Sequence, residues 1–389
     1  MCGIFGVLNN RGLLSHQYVQ RQFEKSAKRG PEYSSLTNFD DSTTIGFHRL
    51  AINGLDEKSH QPICKDKIAV VCNGEIYNYK ALYKLLNVTP ETNSDCEVIL
   101  HMYRKYGIEY TLSQLDGVFA IALFDFGKNE FFLARDPYGV RPLFYAADKE
   151  NISGSLVAFA STLQSVVSFR KNFERLECRP FEPGTYSKYY LDDYQTWKFD
   201  CSNRYTVPGV MTMHTITTEE EALYNIQKHL SDAVKKRVET TDRPIACLLS
   251  GGLDSSLITS LVKKHYTGTL ETYSIGLPGS EDCKYAQMVA DHLGTKHTQI
   301  TMSEEEFFEA IPTVIENIES YDTTTVRASV GNYLIGKYIS ENSEAKVIFN
   351  GDGSDELTGG YMYFHCAPDM LEFDRECKRL LSNISFFDV

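Results

Sequence analysis

The stretch Pro244–Ser256, PIACLLSGGLDSS, runs from a short apolar segment into Ser-Gly-Gly and on into residues that continue as SSLITSLVKKH, ending at His265. The apolar segment has strand length and ends on glycines, and the segment after it has helical length and pattern. Strand, glycine turn and helix in that order make the first half of a crossover unit. Working outward, the same rhythm holds on both sides. A helix over EEEALYNIQKHLSDAVKKRV (219–238) precedes it. Strand LETYSIG (270–276), helix KYAQMVADHLG (284–294), strand KHTQIT (296–301), two more helices and strand AKVIFNG (345–351) follow. Strands separated by helices of this length predict an open parallel α/β sheet.

Residues before about 205 read differently. CGIFGVL, TIGFHRLAI, IAVVCNGEI, GVFAIALFDF, EFFLARD and LVAFAS are rich in β-branched and aromatic residues and are bounded by Gly, Asp or Asn. Two segments read as helices, HQYVQRQFEKSAKR (16–29) and SDCEVILHMYRKYG (94–107), the second with Ser94 as its cap. The first half is therefore α+β, a β-sandwich with helices on its outer faces. The stretch DDYQTWKFDCSNRYTVPGVMT breaks the rhythm, and the linker is placed there. The division is an N-terminal domain over 2–205, a linker over 206–218 and a second domain over 219–389.

At 389 residues the chain exceeds what one core usually serves, which agrees with two domains. A net charge of −13 disfavours a general nucleic-acid binder. No apolar run approaches bilayer length, and the N-terminus lacks the basic and apolar parts of a secretory signal. A cytoplasmic protein with neither nucleic-acid nor membrane partners is expected. The ten cysteines have no Cys-x-x-Cys spacing, so neither a disulfide framework nor a zinc site is expected. His48, His60 and His101 show no metal spacing and read as structural or surface residues.

Two loops carry chemistry in the second domain. In the first, glycines at the start of a helix turn backbone N–H groups toward an anion, and Ser250, Ser255 and Ser256 add hydroxyl donors. Asp254 would repel a phosphate directly but suits a Mg²⁺ ion bridging to pyrophosphate. The Walker Gly-Lys-Ser/Thr pattern is absent. The second loop, FNGDGSDELTGGY (349–361), places Asp352, Asp355 and Glu356 within five residues. Carboxylates so close repel one another unless a cation or a mechanistic need holds them. Plain alternatives stand beside these readings: a glycine-rich strand-to-helix turn with Asp254 at the helix start, and an acidic solvated turn.

SGGLDSS resembles the pyrophosphate loop of the N-type ATP pyrophosphatases. IESYDTTTVRAS (318–329) followed by GDGSDE is similar to the glutamine-hydrolysing asparagine synthetases. The resemblance implies that ATP adenylates the side-chain carboxylate of aspartate, with release of pyrophosphate, and that ammonia then displaces AMP. It implies ATP contacts at Leu248, Ser250, Gly251, Gly252, Asp254, Ser255, Ser256, Ile275, Asn350 and Gly351. Thr324, Thr325 and Arg327 would face aspartate and pyrophosphate, and Asp254 and Asp355 would hold Mg²⁺. Arg327 taken alone could equally be a surface salt-bridge partner. Homodimer formation is also implied.

Ammonia at neutral pH is mostly ammonium and no nucleophile, so a synthetase gains by making it in place. Residues 1–7 are MCGIFGV. Removal of Met1 would leave Cys2 N-terminal, with an α-amine of pKa roughly 8 beside its own thiol, so that one residue supplies nucleophile and base. FHRLAIN offers Arg49 as a two-pronged carboxylate grip. CNGEIYN offers Asn73 and Gly74 as oxyanion donors and Glu75 as an acceptor for an amino group, and NSDCEV offers Asp95 as a second acceptor. These elements resemble the class II, N-terminal-nucleophile glutamine amidotransferases. That resemblance implies an Ntn-hydrolase-like fold, Cys2 as nucleophile, and a glutamine site that also takes in Leu50 and Asn53. Each feature has a plainer reading: a buried cysteine, an Asn-Gly turn, an acid at a helix start.

Two departures mark this chain. Where the family usually has Ser-Gly-Glu-Gly-Ser-Asp-Glu, residues 350–356 read NGDGSDE. Asp352 is thus one methylene shorter as a proton acceptor from the attacking ammonium. The sequence also ends at LLSNISFFDV, in what should be a helix, whereas the family continues, so the second domain is expected to be truncated. Three other readings stay open: glutaminase activity alone, transfer to a carboxylate other than aspartate, and an inactive partner of a full-length synthetase subunit.

Overall fold

A computed structural model describes residues 2–150, 152, 154–206 and 216–387, with side chains for all of these except 383–387. The chain divides into two compact units, Met1–Pro208 and Gly209–Val389. Most of the expected linker, residues 207–215, lies outside the described residues, as does Met1.

The first unit contains strands β1 (Gly3–Leu8), β2 (Tyr33–Asn38), β3 (Thr43–Arg49), β4 (Ile63–Lys65), β5 (Ile68–Ile76), β6 (Gly117–Asp125), β7 (Glu130–Arg135), β8 (Phe144–Asp148), β9 (Val157–Ala160), β10 (Leu176–Pro180), β11 (Thr185–Leu191) and β12 (Trp197–Arg204). They form two antiparallel six-stranded sheets, ordered β10-β8-β9-β1-β3-β2 and β12-β11-β7-β6-β5-β4. The pattern along β5 shows how the layers arise. Ala69 and Val71 join Ile4, Ile45 and Phe47 in the core between the sheets. Val70 and Cys72 face the other way, against helices α2 (Tyr79–Leu86) and α3 (Val98–Tyr106). The outer face of the first sheet is covered by α1 (His16–Glu24) and, across α4 (Ile108–Gln114) in chain order, by α5 (Leu163–Val167). The result is a β-sandwich flanked by helices, as the β-branched and aromatic segments predict.

Three details differ from the sequence reading. The first helix stops at Glu24, and a separate 3-10 turn takes Ala27–Arg29, because Ser26 returns its hydroxyl to the Phe23 carbonyl at 3.0 Å. The segment at 94–107 opens as a 3-10 turn over Asp95–Glu97 before α3. The stretch read as a break in rhythm contains β12, an edge strand whose side chains after Trp197 are half-buried or exposed, which leaves almost no hydrophobic alternation to read. Trp197 itself is buried and donates its indole N–H to Thr43 at 2.9 Å.

The second unit is the expected open parallel sheet. Helix α6 (Glu219–Glu239) leads into β13 (Ile245–Leu248), α7 (Leu253–His265), β14 (Glu271–Gly276), α8 (Glu281–Leu293), β15 (Lys296–Thr301), α9 (Glu304–Ile318), α10 (Thr323–Asn342) and β16 (Val347–Phe349), with α11 (Ser354–Thr358) and α12 (Met370–Phe387) after it. The strand order is β15-β14-β13-β16, all pairs parallel. Ile245 and Cys247 meet α6 and α7 on one face, and Ala246 meets Ile335 and Ile339 of α10 on the other. Both faces are therefore covered, and the strand ends are left to build a site.

A candidate glutamine site and a candidate nucleotide site

In the first unit, Cys2 stands immediately before β1. The register pairs Gly3 with His48 on β3, which sets Cys2 beside the end of that strand, and its thiol lies 3.4 Å from the Leu50 carbonyl. Arg29 holds the Cys2 carbonyl at 3.0 Å. One pocket is lined by Cys2, Arg49, Leu50, Asn53, Asn73, Gly74, Glu75 and Asp95, so every residue the sequence nominated for glutamine meets there. The inner-face periodicity of β5 carries through Asn73 and Glu75, on the side where Cys2 packs.

The donors are prepared in advance. Asn73 is buried and its amide lies 3.4 Å from the Ser161 hydroxyl, which accepts from the Ile4 amide at 3.0 Å, tying Asn73 to the strand that carries Cys2. Phe119 on β6 commits both backbone groups to Asp136. Gly74, opposite Phe119, is therefore in a non-hydrogen-bonded pair, and its N–H points away from β6. On that open edge Gln61 satisfies the amide and carbonyl of Cys72, at 2.6 and 3.2 Å. Gly74 N–H, next along the edge, has no partner among the described residues. Glycine is required here, because a Cβ would come within 2.3 Å of the Val118 carbonyl.

The charged groups are partly engaged. Arg49 is buried and gives N–H bonds to the carbonyls of Asn53, Gly54 and Asp56. Three of its five N–H groups are spent and two remain. Asp95 is buried, accepts the Ile76 amide at 2.7 Å, and is pushed up to about 7 by burial, with the Glu75 charge adding to the rise and hydrogen bonds from Ile76 and Asn53 opposing it. Burial likewise pushes the Cys2 thiol up, against which a backbone hydrogen bond from Leu50 and the Arg141 charge act. Arg141, which the sequence reading missed, binds Glu75 at 3.0 Å and lines the same pocket. Its signal was faint: one arginine in the Pro- and Gly-punctuated loop between β7 and β8. Ser161 and Gln61 were missed too, since their partners come from distant strands. His48 and His101 are buried structural residues, His48 stacked on Phe23 at 3.8 Å and His101 bound to Glu97 at 3.0 Å.

In the second unit, Leu248 ends β13, Gly252 precedes α7, and Ile275 lies near the end of neighbouring β14. Gly251 has φ +83°, and a Cβ there would strike the Ala286 amide at 2.5 Å, so the turn demands glycine. The Ser250 and Ser255 hydroxyls lie 2.9 Å apart across the loop, and the Ser256 hydroxyl is buried with no partner among the described residues. Because β16 pairs in parallel with β13, the 350–356 loop emerges beside this one. At Gly351 an ideal Cβ would sit 2.9 Å from both the Asp254 Cβ and the Ser255 amide, so the two loops touch. Asn350 donates to Asp352 at 2.5 Å, and Asp355 lies in the first turn of α11.

Thr324 and Thr325 lie in the first turn of α10, where Asp322 accepts the amide and hydroxyl of Thr325 at 2.9 and 3.0 Å. Arg327 is exposed and has no partner among the described residues. No group of three or more His, Cys, Asp or Glu side chains placed to hold a metal ion is found among those residues. One or two carboxylates completed by phosphate oxygens are the usual donors for Mg²⁺, and Asp254 and Asp355 have that chemistry. Among the described residues no helix is long and apolar enough to cross a membrane.

Comparison with known proteins agrees with this division of labour. Residues 1–197 match the glutamine amidotransferase domain model and residues 225–382 the asparagine synthase model. The chain is 40% identical to a glutamine-hydrolysing asparagine synthetase of Mesocricetus auratus and 39% identical to that of Homo sapiens, over all of this chain and 72% of each relative. Among solved structures, it is similar to a glutamine phosphoribosylpyrophosphate amidotransferase from B. subtilis, with 14% identity and a TM-score of 0.42 over 78% of this chain and 91% of that one. The chain belongs to the family of glutamine-hydrolysing asparagine synthetases.

Proposed function

We propose that the protein makes asparagine from aspartate, using ATP and the amide nitrogen of glutamine. The observation that carries this reading is the convergence of Cys2, Arg49, Asn73, Gly74, Glu75 and Asp95 on one pocket, in a chain whose other unit presents two touching loops at the ends of a parallel sheet.

In this reading Arg49 takes the glutamine carboxylate with its remaining N–H groups, while Glu75 and Asp95 take the ammonium. The Cys2 thiolate attacks the side-chain amide carbon, and the amide oxygen becomes an oxyanion facing the Asn73 amide and Gly74 N–H. Ammonia leaves and water releases glutamate from the thioester. With Met1 removed, the Cys2 amine holds the proton that the thiol gives up.

In the second unit the loop at 250–256 receives the ATP phosphates at the start of α7, with Leu248, Ile275, Asn350 and Gly351 beside the nucleotide. Asp254 and Asp355 would hold Mg²⁺, which when bound supplies charge neutralisation at the phosphates. Thr324, Thr325 and Arg327 face aspartate and the departing pyrophosphate. Ammonia attacks the acyl carbon of the aspartyl adenylate, the bond to the AMP oxygen breaks and AMP leaves, and Asp352 accepts the proton that the new amide loses. A cytoplasmic homodimer belongs to the same reading and is supported by the family likeness.

Replacing Cys2 by alanine tests the assignment. Glutamine-dependent asparagine formation should disappear while formation from ammonium salts persists. Persistence of the glutamine-dependent reaction would overturn the role of Cys2.

A further inference from the structure

The loop after β7 spends unusual resources on one residue. Asp136, buried, accepts amide N–H bonds from Tyr138, Val140 and Arg141 at 3.0 to 3.1 Å. Arg135, also buried, donates to the carbonyls of Gly139, Arg141 and Phe181 at 2.7 to 2.8 Å. The backbone of Arg141 is thus held at its amide by Asp136 and at its carbonyl by Arg135. Its side chain is left to the glutamine pocket.

There the guanidinium makes a single hydrogen bond among the described residues, Nη2 to Glu75 Oε1 at 3.0 Å, and both side chains are only 15% exposed. Arg141 Nε is buried and has no partner among the described residues. An orphaned donor on a buried cation is costly, and the cost is relieved when a ligand brings an acceptor. Glu75 in turn has one oxygen fixed by Arg141 and the other without a partner among the described residues.

We propose that Arg141 is a glutamine-binding residue that fixes Glu75 Oε1, leaves Oε2 for the substrate ammonium, and offers its buried Nε–H to an oxygen of the bound glutamine. This rests on the reading of the pocket as a glutamine site. It adds a second arginine with a task different from that of Arg49, whose guanidinium is largely absorbed by the 53–56 loop. Lysine would restore a charge beside Glu75 but has no donor at the Nε position.

The test is steady-state ammonia release, without ATP or aspartate, by the full chain and its R141M, R141K, E75Q and E75Q/R141M variants. The substrates are L-glutamine and glutaramate, the analogue that lacks the α-amine. R141M should raise KM for glutamine about 10- to 100-fold, the range of lost charge-assisted hydrogen bonds, and change kcat much less. R141K should recover part of the loss. For glutaramate the loss should be smaller, and in the E75Q background the two changes should not add. A KM for R141M within twofold of the parent, or a fall in kcat alone, would overturn the proposal. E75Q with unchanged KM would instead overturn Glu75 as the ammonium acceptor, leaving R141M to judge the Nε contact. Residue 141 is held through its backbone, so R141M should melt with the parent; if R141M fails to fold, R141K and R141Q on both substrates decide.

Discussion

The carboxylate of Asp95 accepts the amide of Ile76 at 2.7 Å, pinning the turn that carries Asp95, one proposed ammonium partner, to the end of the strand that carries Asn73, Gly74 and Glu75. One hydrogen bond thus fixes the spacing between two sides of the glutamine pocket. It also keeps Asp95 buried, and burial raises its pKa.

Glutamine capture should therefore depend on pH near neutrality. Asp95 is pushed up to about 7, so in the free enzyme it is neutral below that value and anionic above it. Only the anion attracts the substrate ammonium. The ratio kcat/KM for glutamine should fall as pH drops through about 7, while kcat, which reports the bound enzyme, should fall at a lower pH because the ammonium stabilises the anion. Initial rates between pH 5.5 and 8.5 check this, and Asp95→Asn should remove that limb of the kcat/KM profile.

Asn73→Ala removes one of two oxyanion donors without disturbing the strand. A loss of about 10² to 10³ in kcat for glutamate release is expected, with little change in KM, since the oxyanion exists only in the transition state and intermediate. Synthesis from ammonium should stay at the parent level, which a coupled assay with aspartate and ATP would show.

Gly74→Ala should act on the fold as well as on the chemistry. The new methyl would lie within 2.3 Å of the Val118 carbonyl and 2.7 Å of the Phe119 Cα, both backbone atoms of a central strand. Relief requires β5 and β6 to separate, at a cost of roughly 1–3 kcal/mol or more. Thermal melts should show destabilisation that Asn73→Ala lacks.

Asp254→Asn keeps the shape of the nucleotide loop and removes a charge. Pyrophosphate release with aspartate and ATP should drop at least about tenfold, and raising the Mg²⁺ concentration should recover part of it. Glutamate release measured without ATP should be unaffected.

The parts that were legible in the sequence are those where local pattern and tertiary role coincide. The strand at 68–76 opens as a continuous apolar run because both of its faces are buried, and Ser-Gly-Gly at 250–252 announces a turn that only glycine at 251 can make. The residues proposed for glutamine were nominated through the family likeness, and one pocket brings them together. What stayed hidden depends on distant partners or on exposure. The strand at 197–204 lies on a sheet edge with little to bury, so its composition resembles a linker. Arg141 looks like any loop arginine until folding sets it against Glu75, 66 residues earlier in the chain.

The most direct measurement supplies amide-¹⁵N-glutamine, aspartate and MgATP to the full chain and follows glutamate, pyrophosphate and the label in asparagine together. The account predicts labelled asparagine formed in step with glutamate and pyrophosphate, and none from glutamine in the Cys2→Ala variant. Glutamate appearing with neither pyrophosphate nor labelled asparagine would contradict it.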